Sequence, residues 1–295
     1  MKKIINTIIV TLTLSALFLT GCGSASQSSD NAVRVLASTT FLADITRNIA
    51  GDRISVDSLL PVGADPHAYQ AAPSDVAKIA ESDLLILNGL EYEHFIEPLL
   101  ENAGGKRLII EATAGLSPRK DAGSEHGVDP HMWLNPNLVV TYVENIRDSL
   151  IQIDVEGTQI YKANADVYIA QLKELDQWIV EQVNTIPAER RLLVTNHEAV
   201  GYFAERYGFE VAGAVIPSLS TDAGTSAKEL AALIEVIKTS GAPAIFLGEV
   251  ESPDLANQIA AETDVKVVDN LHLESLTVGA PAATYIDMMK HNVNQ

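Results

Sequence analysis

The chain has 295 residues, 47% hydrophobic and 20% charged, with a formal net charge of −19. That length exceeds one small core and suits two domains, and the balance is that of a folded protein, neither disordered nor fibrous. So acidic a surface argues against nucleic acid and anionic lipid headgroups as partners and would draw metal cations only weakly.

Lys2 and Lys3 precede an apolar stretch, Ile4 to Thr20, that is short for a spanning helix. It closes on Leu19-Thr20-Gly21-Cys22, which resembles a bacterial lipoprotein cleavage site. Residues 1–21 are therefore expected to be a lipoprotein signal peptide and Cys22 the lipidated residue. Several acyl chains there would anchor the chain stably at a membrane, on its extracytoplasmic side. Residues 22–32, small and polar, form a flexible tether. Cys22 is the only cysteine, so no internal disulfide can form.

Beyond the tether, strands alternate with helices. Val33–Ser38, Ile54–Leu60, Leu84–Leu87 and Arg107–Ala112 have strand character; Phe41–Ala50, Ser74–Ser82 and His94–Asn102 have helical character. Such alternation predicts a parallel sheet flanked by helices. Pro136 to Ile153 is a further helix, with proline allowed at its first position. Gly157 to Thr185 holds no internal glycine or proline, and Ile160, Val167, Leu172, Leu175, Ile179 and Val183 fall near helical spacing. Such a helix would be about 40 Å long, enough to cross between domains. The scheme then repeats. Strands are expected at Arg191–Thr195, Phe209–Ile216, Ala244–Leu247 and Val265–Asp269. Helices are expected at Ala199–Tyr207, Ser226–Thr239, Pro253–Thr263 and Pro281–His291. The expectation is an α/β protein of two lobes, 33–154 and 188–295, joined by a rigid helix over 155–187.

The tripeptide Asp-Pro-His occurs twice, at Asp65-Pro66-His67 and Asp129-Pro130-His131. Proline stiffens the backbone presenting each histidine, as a ligand requires. Asp-Pro is also ordinary turn chemistry, and spacing alone does not separate the two readings. In parallel α/β sheets, ligands bind beyond the carboxyl ends of strands. His67, His197 and Glu274 each follow a strand there, and His131 follows one through a longer loop. Three imidazoles and a carboxylate suit a divalent first-row metal, zinc or manganese, with zinc favoured by affinity order. His272 competes with Glu274 for the fourth position. His94, His126 and His291 are expected at or near the surface. Asp65, Asp129, Asn135 and Glu198 are near enough to orient the imidazoles, or to serve as turn and cap residues. Trp133 and Tyr69 are expected to shield the site or to be ordinary core aromatics.

Four blocks then bear a family resemblance: Pro61 to Tyr69 with Pro73-Ser74-Asp75; Asp129 to Pro136; Thr195 to Phe203 with Tyr207-Gly208; and Glu274-Ser275-Leu276 with Tyr285 to Met289. From about Val33 to His291 the chain resembles the zinc and manganese solute-binding proteins of bacterial ABC importers. The resemblance implies two lobes joined by one helix, a metal clamped between them, and delivery to a membrane permease driven by a cytoplasmic ATPase. It carries the ligand role to His67, His131 and His197, the third tilting toward zinc. At the fourth position, usually aspartate in relatives with a carboxylate, this chain has Glu274. The long histidine-rich loop of many zinc relatives is reduced here to Ser117–Val128. A monomer without organic cofactor or enzymatic activity is expected. Two other readings remain: a zinc hydrolase with Glu274 as general base, and a surface adhesin with structural metal. The loops carrying Glu274 and Ser218–Thr225 are expected to move most on metal release.

Overall fold

A computed structural model describes residues 33–120 and 127–295. The expected signal peptide and tether, Cys22 with them, and His126 lie outside the described residues. Strands β1 (Arg34–Ala37), β2 (Ser55–Ser58), β3 (Leu84–Leu87) and β4 (Leu108–Glu111) form a parallel sheet in the order β2-β1-β3-β4. Strands β5 (Leu192–Thr195), β6 (Glu210–Ala214), β7 (Ala244–Gly248) and β8 (Lys266–Leu271) form a second, in the order β6-β5-β7-β8. The two halves thus repeat one topology without repeating residues. In each, the first strand lies between the second and third, so the connections diverge there and open a crevice beyond its carboxyl end. β3 is buried along its whole length, as the apolar run Leu84–Leu87 requires of a central strand covered on both faces.

The helices are α1 (Thr40–Ala50), α2 (Pro73–Glu81), α3 (Ile96–Ala103), α4 (Pro136–Ile153), α5 (Thr158–Val183), α6 (Gly201–Tyr207), α7 (Ala227–Ser240), α8 (Asp254–Thr263) and α9 (Tyr285–Asn294). α1 shows how local chemistry sets their bounds. Thr39 accepts the Leu42 N–H at 3.3 Å as N-cap, Phe41, Ile45 and Ile49 bury one face, and Gly51 at φ +59° ends the helix. α9 starts at Tyr285, later than the expected Pro281, because Thr284 is its cap and accepts the Asp287 N–H at 3.1 Å.

The 26-residue α5 is the expected long connector, but its inward face is shifted. Ile160 and Val167 point to solvent, at 44% and 60% exposure. Tyr161, Ala165 and Tyr168 turn inward instead, in phase with Leu172, Leu175 and Ile179 at steps of three and four residues. Two tyrosines thus carry the stripe where aliphatic residues were expected. α5 packs on α1 and α4 from the first lobe and on α6 and α9 from the second. One apolar cluster runs through it from Val35 and Phe41 to Tyr285 and Met289, so residues 33–295 form one compact unit. No helix among the described residues is long and apolar enough to cross a membrane.

Candidate metal centre

The two Asp-Pro-His tripeptides fold alike. Asp65 Oδ1 accepts the N–H of His67 at 2.9 Å, and Asp129 Oδ1 accepts the N–H of His131 at 2.9 Å. Each aspartate closes a turn on its own backbone two residues on, and that turn aims the histidine. Turn and ligand presentation are therefore the same device. Asp129 Oδ1 also lies 2.9 Å from His131 Nδ1, fixing that ring with Nε2 directed inward. Asp65 instead uses its second oxygen to accept from Thr221 at 2.6 Å. The Asp129 turn is docked across the lobes by the Tyr202 hydroxyl, which donates to the Asp129 carbonyl at 2.8 Å.

His197 follows β5, and its Nδ1 lies 2.5 Å from Glu251 Oε1. Glu251 in turn accepts the Gly248 N–H at the end of β7. Glu274 follows β8. Tyr92 donates its hydroxyl to Glu274 Oε2, leaving Oε1 to face the three imidazoles. From Oε1 the Nε2 atoms of His197, His131 and His67 lie at 3.4, 3.5 and 3.8 Å. His67 and His131 Nε2 are 3.4 Å apart, and all four donor atoms lie within 4.8 Å of one another. A regular tetrahedron with edges of 3.4–3.8 Å has its centre about 2.1–2.3 Å from each corner, the reach of a first-row metal to nitrogen or oxygen. His197 Nε2 and Glu274 Oε1 are buried and have no hydrogen-bond partner, a costly arrangement without a cation between them.

Charge is arranged to suit a cation. Burial alone would raise the Glu274 carboxyl, but His131, His197 and His67 hold it well below the usual carboxylate range. Burial would lower His197, yet Glu251 and Glu274 raise it to about 10. His131 is raised too, as Asp129 and Glu274 outweigh its burial. Without a metal the His131 and His197 rings thus hold protons more tightly than a free imidazole, and a metal must displace them.

The residues proposed as supports divide. Asp129 touches a ring, whereas Asp65 bonds the His67 N–H and the Thr221 hydroxyl. Asn135 caps α4, accepting the Asn137 N–H at 3.0 Å. Glu198 donates its N–H to the Ser218 carbonyl at 2.8 Å, while the acid on the His197 ring is Glu251. His272 is not one of the four; its ring lies against His291 instead. Trp133 is fully buried, 5.2 Å from the His131 ring centroid, and donates to the Leu273 carbonyl at 2.8 Å. Tyr69 turns away to Asp75, and the aromatic edge-on to His67 is Tyr92.

Sequence reasoning missed Tyr92, Glu249 and Glu251. Glu249 accepts the N–H groups of Leu273, Glu274 and Ser275 at 2.8, 3.3 and 2.5 Å, holding the loop that carries Glu274. All three lie just beyond the carboxyl ends of β3 and β7, the signal that located His67 and His197. Tyr92 is set by an unusual turn. Leu90 and Glu91 both adopt φ near +60°, and buried Glu93 accepts from Ser38 Oγ and the Asn88 and Gly89 N–H groups.

The chain is similar to known proteins over nearly its full length. It is 33% identical over 299 residues to the manganese-binding lipoprotein MntA of Halalkalibacterium halodurans, covering all of this chain and 97% of that one. It is 31% identical over 310 residues to the manganese ABC transporter substrate-binding lipoprotein PsaA of Streptococcus pneumoniae, covering all of this chain and 98% of that one. Among solved structures, the periplasmic zinc binding protein TroA of Treponema pallidum superposes with a TM-score of 0.83 at 28% identity, covering 89% of this chain and 97% of that one. The Mn-bound periplasmic metal binding protein of Candidatus Liberibacter asiaticus superposes at 0.80 with 27% identity, over 89% and 97%. The family described as zinc-uptake complex component A, periplasmic, matches residues 35–295. By fold, by length of match and by identity to these relatives, the chain belongs to that family.

Proposed function

We propose that the chain is the substrate-binding component of a metal ABC importer, not an enzyme, and that His67, His131, His197 and Glu274 hold its cargo. The observation that carries this reading is the convergence of four buried donor atoms from four separate loops, two of them without any protein partner. Glu274 Oε1 faces the same point as the imidazoles, which leaves no acid standing behind an open metal position, as a hydrolase needs. Residues 1–21 are then a leader and Cys22 a lipid anchor, followed by a tether to residue 32. The lobes span 33–154 and 188–295, with 155–187 between them. The chain works as a monomer on the extracytoplasmic face and passes metal to a membrane permease.

Zinc is the tighter cargo. Tyr92 occupies Glu274 Oε2, so the carboxylate offers one oxygen and the site is four-coordinate, the geometry zinc prefers. Manganese is the second reading, supported by the names of the lipoprotein relatives and by a carboxylate that becomes bidentate if Tyr92 lets go. Competitive titration of metal-free protein decides between them. Zinc should displace bound manganese, and Tyr92→Phe should narrow the gap by freeing Oε2. Equal affinities in the parent chain would refute the preference, and no saturable binding of either metal would refute the receptor reading.

A further inference from the structure

Away from the interlobe site, His272 and His291 form a second histidine pair. His272 follows β8, and His291 sits in the last turn of α9. Their ring centroids are 5.3 Å apart and the planes are tilted by 54°. The three imidazoles around Glu274 are spaced alike, at 5.3–5.5 Å. Among the described residues, two buried imidazole nitrogens lack a hydrogen-bond partner: His197 Nε2, aimed at Glu274, and His272 Nδ1.

Both members of the pair are held in place. The Asn292 side chain accepts the His272 N–H at 2.8 Å and donates to the His272 carbonyl at 2.6 Å. His291 Nε2 lies 2.8 Å from the Asn270 carbonyl, which can only accept, so that nitrogen carries the proton and Nδ1 keeps its lone pair. A ring whose far nitrogen donates to a carbonyl is the arrangement that orients metal-binding histidines. Asn270 is itself tied to Gln295 at 3.0 Å. The pair lies beside β8, the edge strand of the second sheet, and both residues are half-buried, neither wholly enclosed.

We propose that His272 Nδ1 and His291 Nδ1 bind a second divalent cation, zinc, with water completing its coordination. Two neutral imidazoles without a carboxylate discriminate against manganese, which prefers oxygen and ranks lowest in the affinity series. The site is weaker than the interlobe one, having two protein donors where that one has four.

Calorimetric titration of the metal-free chain, with zinc chloride and separately with manganese chloride, tests this. The expected result is two zinc equivalents, one tight and one weaker, against a single manganese equivalent. His272→Ala and His291→Gln should each remove the weaker zinc and leave the tight one; the glutamine amide can still donate to the Asn270 carbonyl and so preserve the fold there. In His131→Ala the weaker zinc should remain. A single zinc equivalent in the parent chain, or a weaker equivalent that survives both substitutions, overturns the proposal. Retention of the tight equivalent in His131→Ala would count against the interlobe reading and leave this one standing.

Discussion

Two loops line the mouth of the interlobe site, and they are built oppositely. Leu273 to Leu276 is buried throughout, at 2–5% exposure, and is tied from every side. Glu249 accepts three of its N–H groups, Thr40 Oγ1 accepts the Leu276 N–H at 2.8 Å, and Trp133 donates to the Leu273 carbonyl. The Ser275 hydroxyl also accepts the Gly63 N–H at 2.9 Å, which joins this loop to the one bearing His67. Ser218–Thr225 has no buried residue, and its side-chain link to the opposite lobe is the Thr221 bond to Asp65. Both loops are expected from the sequence to move most on metal release, but their anchoring differs. Holding a cation needs a preorganised acid, whereas letting it go needs a part that opens at little cost.

The contrast can be broken most completely at the acid itself. Glu274→Ala should abolish saturable metal binding in calorimetry while the chain remains folded, because it removes one donor and the carboxylate that faces the Nε2 atoms of all three rings. Undiminished affinity would remove Glu274 from the site.

A more distant support comes next. Asp44 accepts the Tyr285 N–H at 2.9 Å, Tyr285 donates to the Trp133 carbonyl at 2.5 Å, and Trp133 reaches the loop through Leu273. Burial raises the Asp44 pKa from 3.8 to about 6, only partly offset by the Tyr285 N–H. The folded chain therefore binds this proton more tightly than the unfolded chain. Its stability falls as pH rises from about 3.8 to about 6, and the full penalty applies above that. Asp44→Asn keeps an acceptor for Tyr285 and removes the buried charge. It should stabilise the fold by up to about 3 kcal/mol at pH 8, with the gain vanishing near pH 4. Denaturant melts at the two values check this, and a gain independent of pH would contradict it.

Within the fixed loop, Glu249→Gln exchanges one acceptor oxygen for a donor facing backbone N–H groups. Metal affinity should fall about 10–100-fold with the fold intact, as for other residues that orient ligands. On the open loop, Thr221→Val removes one hydrogen bond of about 1 kcal/mol and should speed metal release about five-fold in stopped-flow exchange. If Thr221→Val slowed release, or outdid Glu249→Gln in lowering affinity, the assignment of the fixed and the opening side would be reversed.

Much of this was legible in the residues. The repeated strand–helix rhythm made both sheets legible because Leu84–Leu87 and Ala244–Leu247 are continuous apolar runs, the first followed by Asn88-Gly89 and the second set between Pro243 and Gly248. His67, His131, His197 and Glu274 could be selected because histidines are few and sit after strands. The long helix was visible, but its face was not. Ile160 and Val167 suit a helical stripe as well as Tyr161 and Tyr168 do, and only packing on α1 and α4 chooses between them. His272 and Glu274 could not be separated either, since residues two apart point the same way in an extended segment until Asn292 and Tyr92 each claim one. Tyr92 pairs with a residue 182 positions away, and a lone tyrosine carries no local mark of that.

α5 is stitched into both lobes by a single unbroken seam of side chains. Bending the molecule at its waist would strip Tyr161, Tyr168, Leu172 and Ile179 of their neighbours, so the cheapest deformation lies elsewhere. Full and empty receptors would then share one silhouette and differ in the texture of the rim around the cation. A membrane partner that tells them apart would then do so by touch at that rim, over a few side chains.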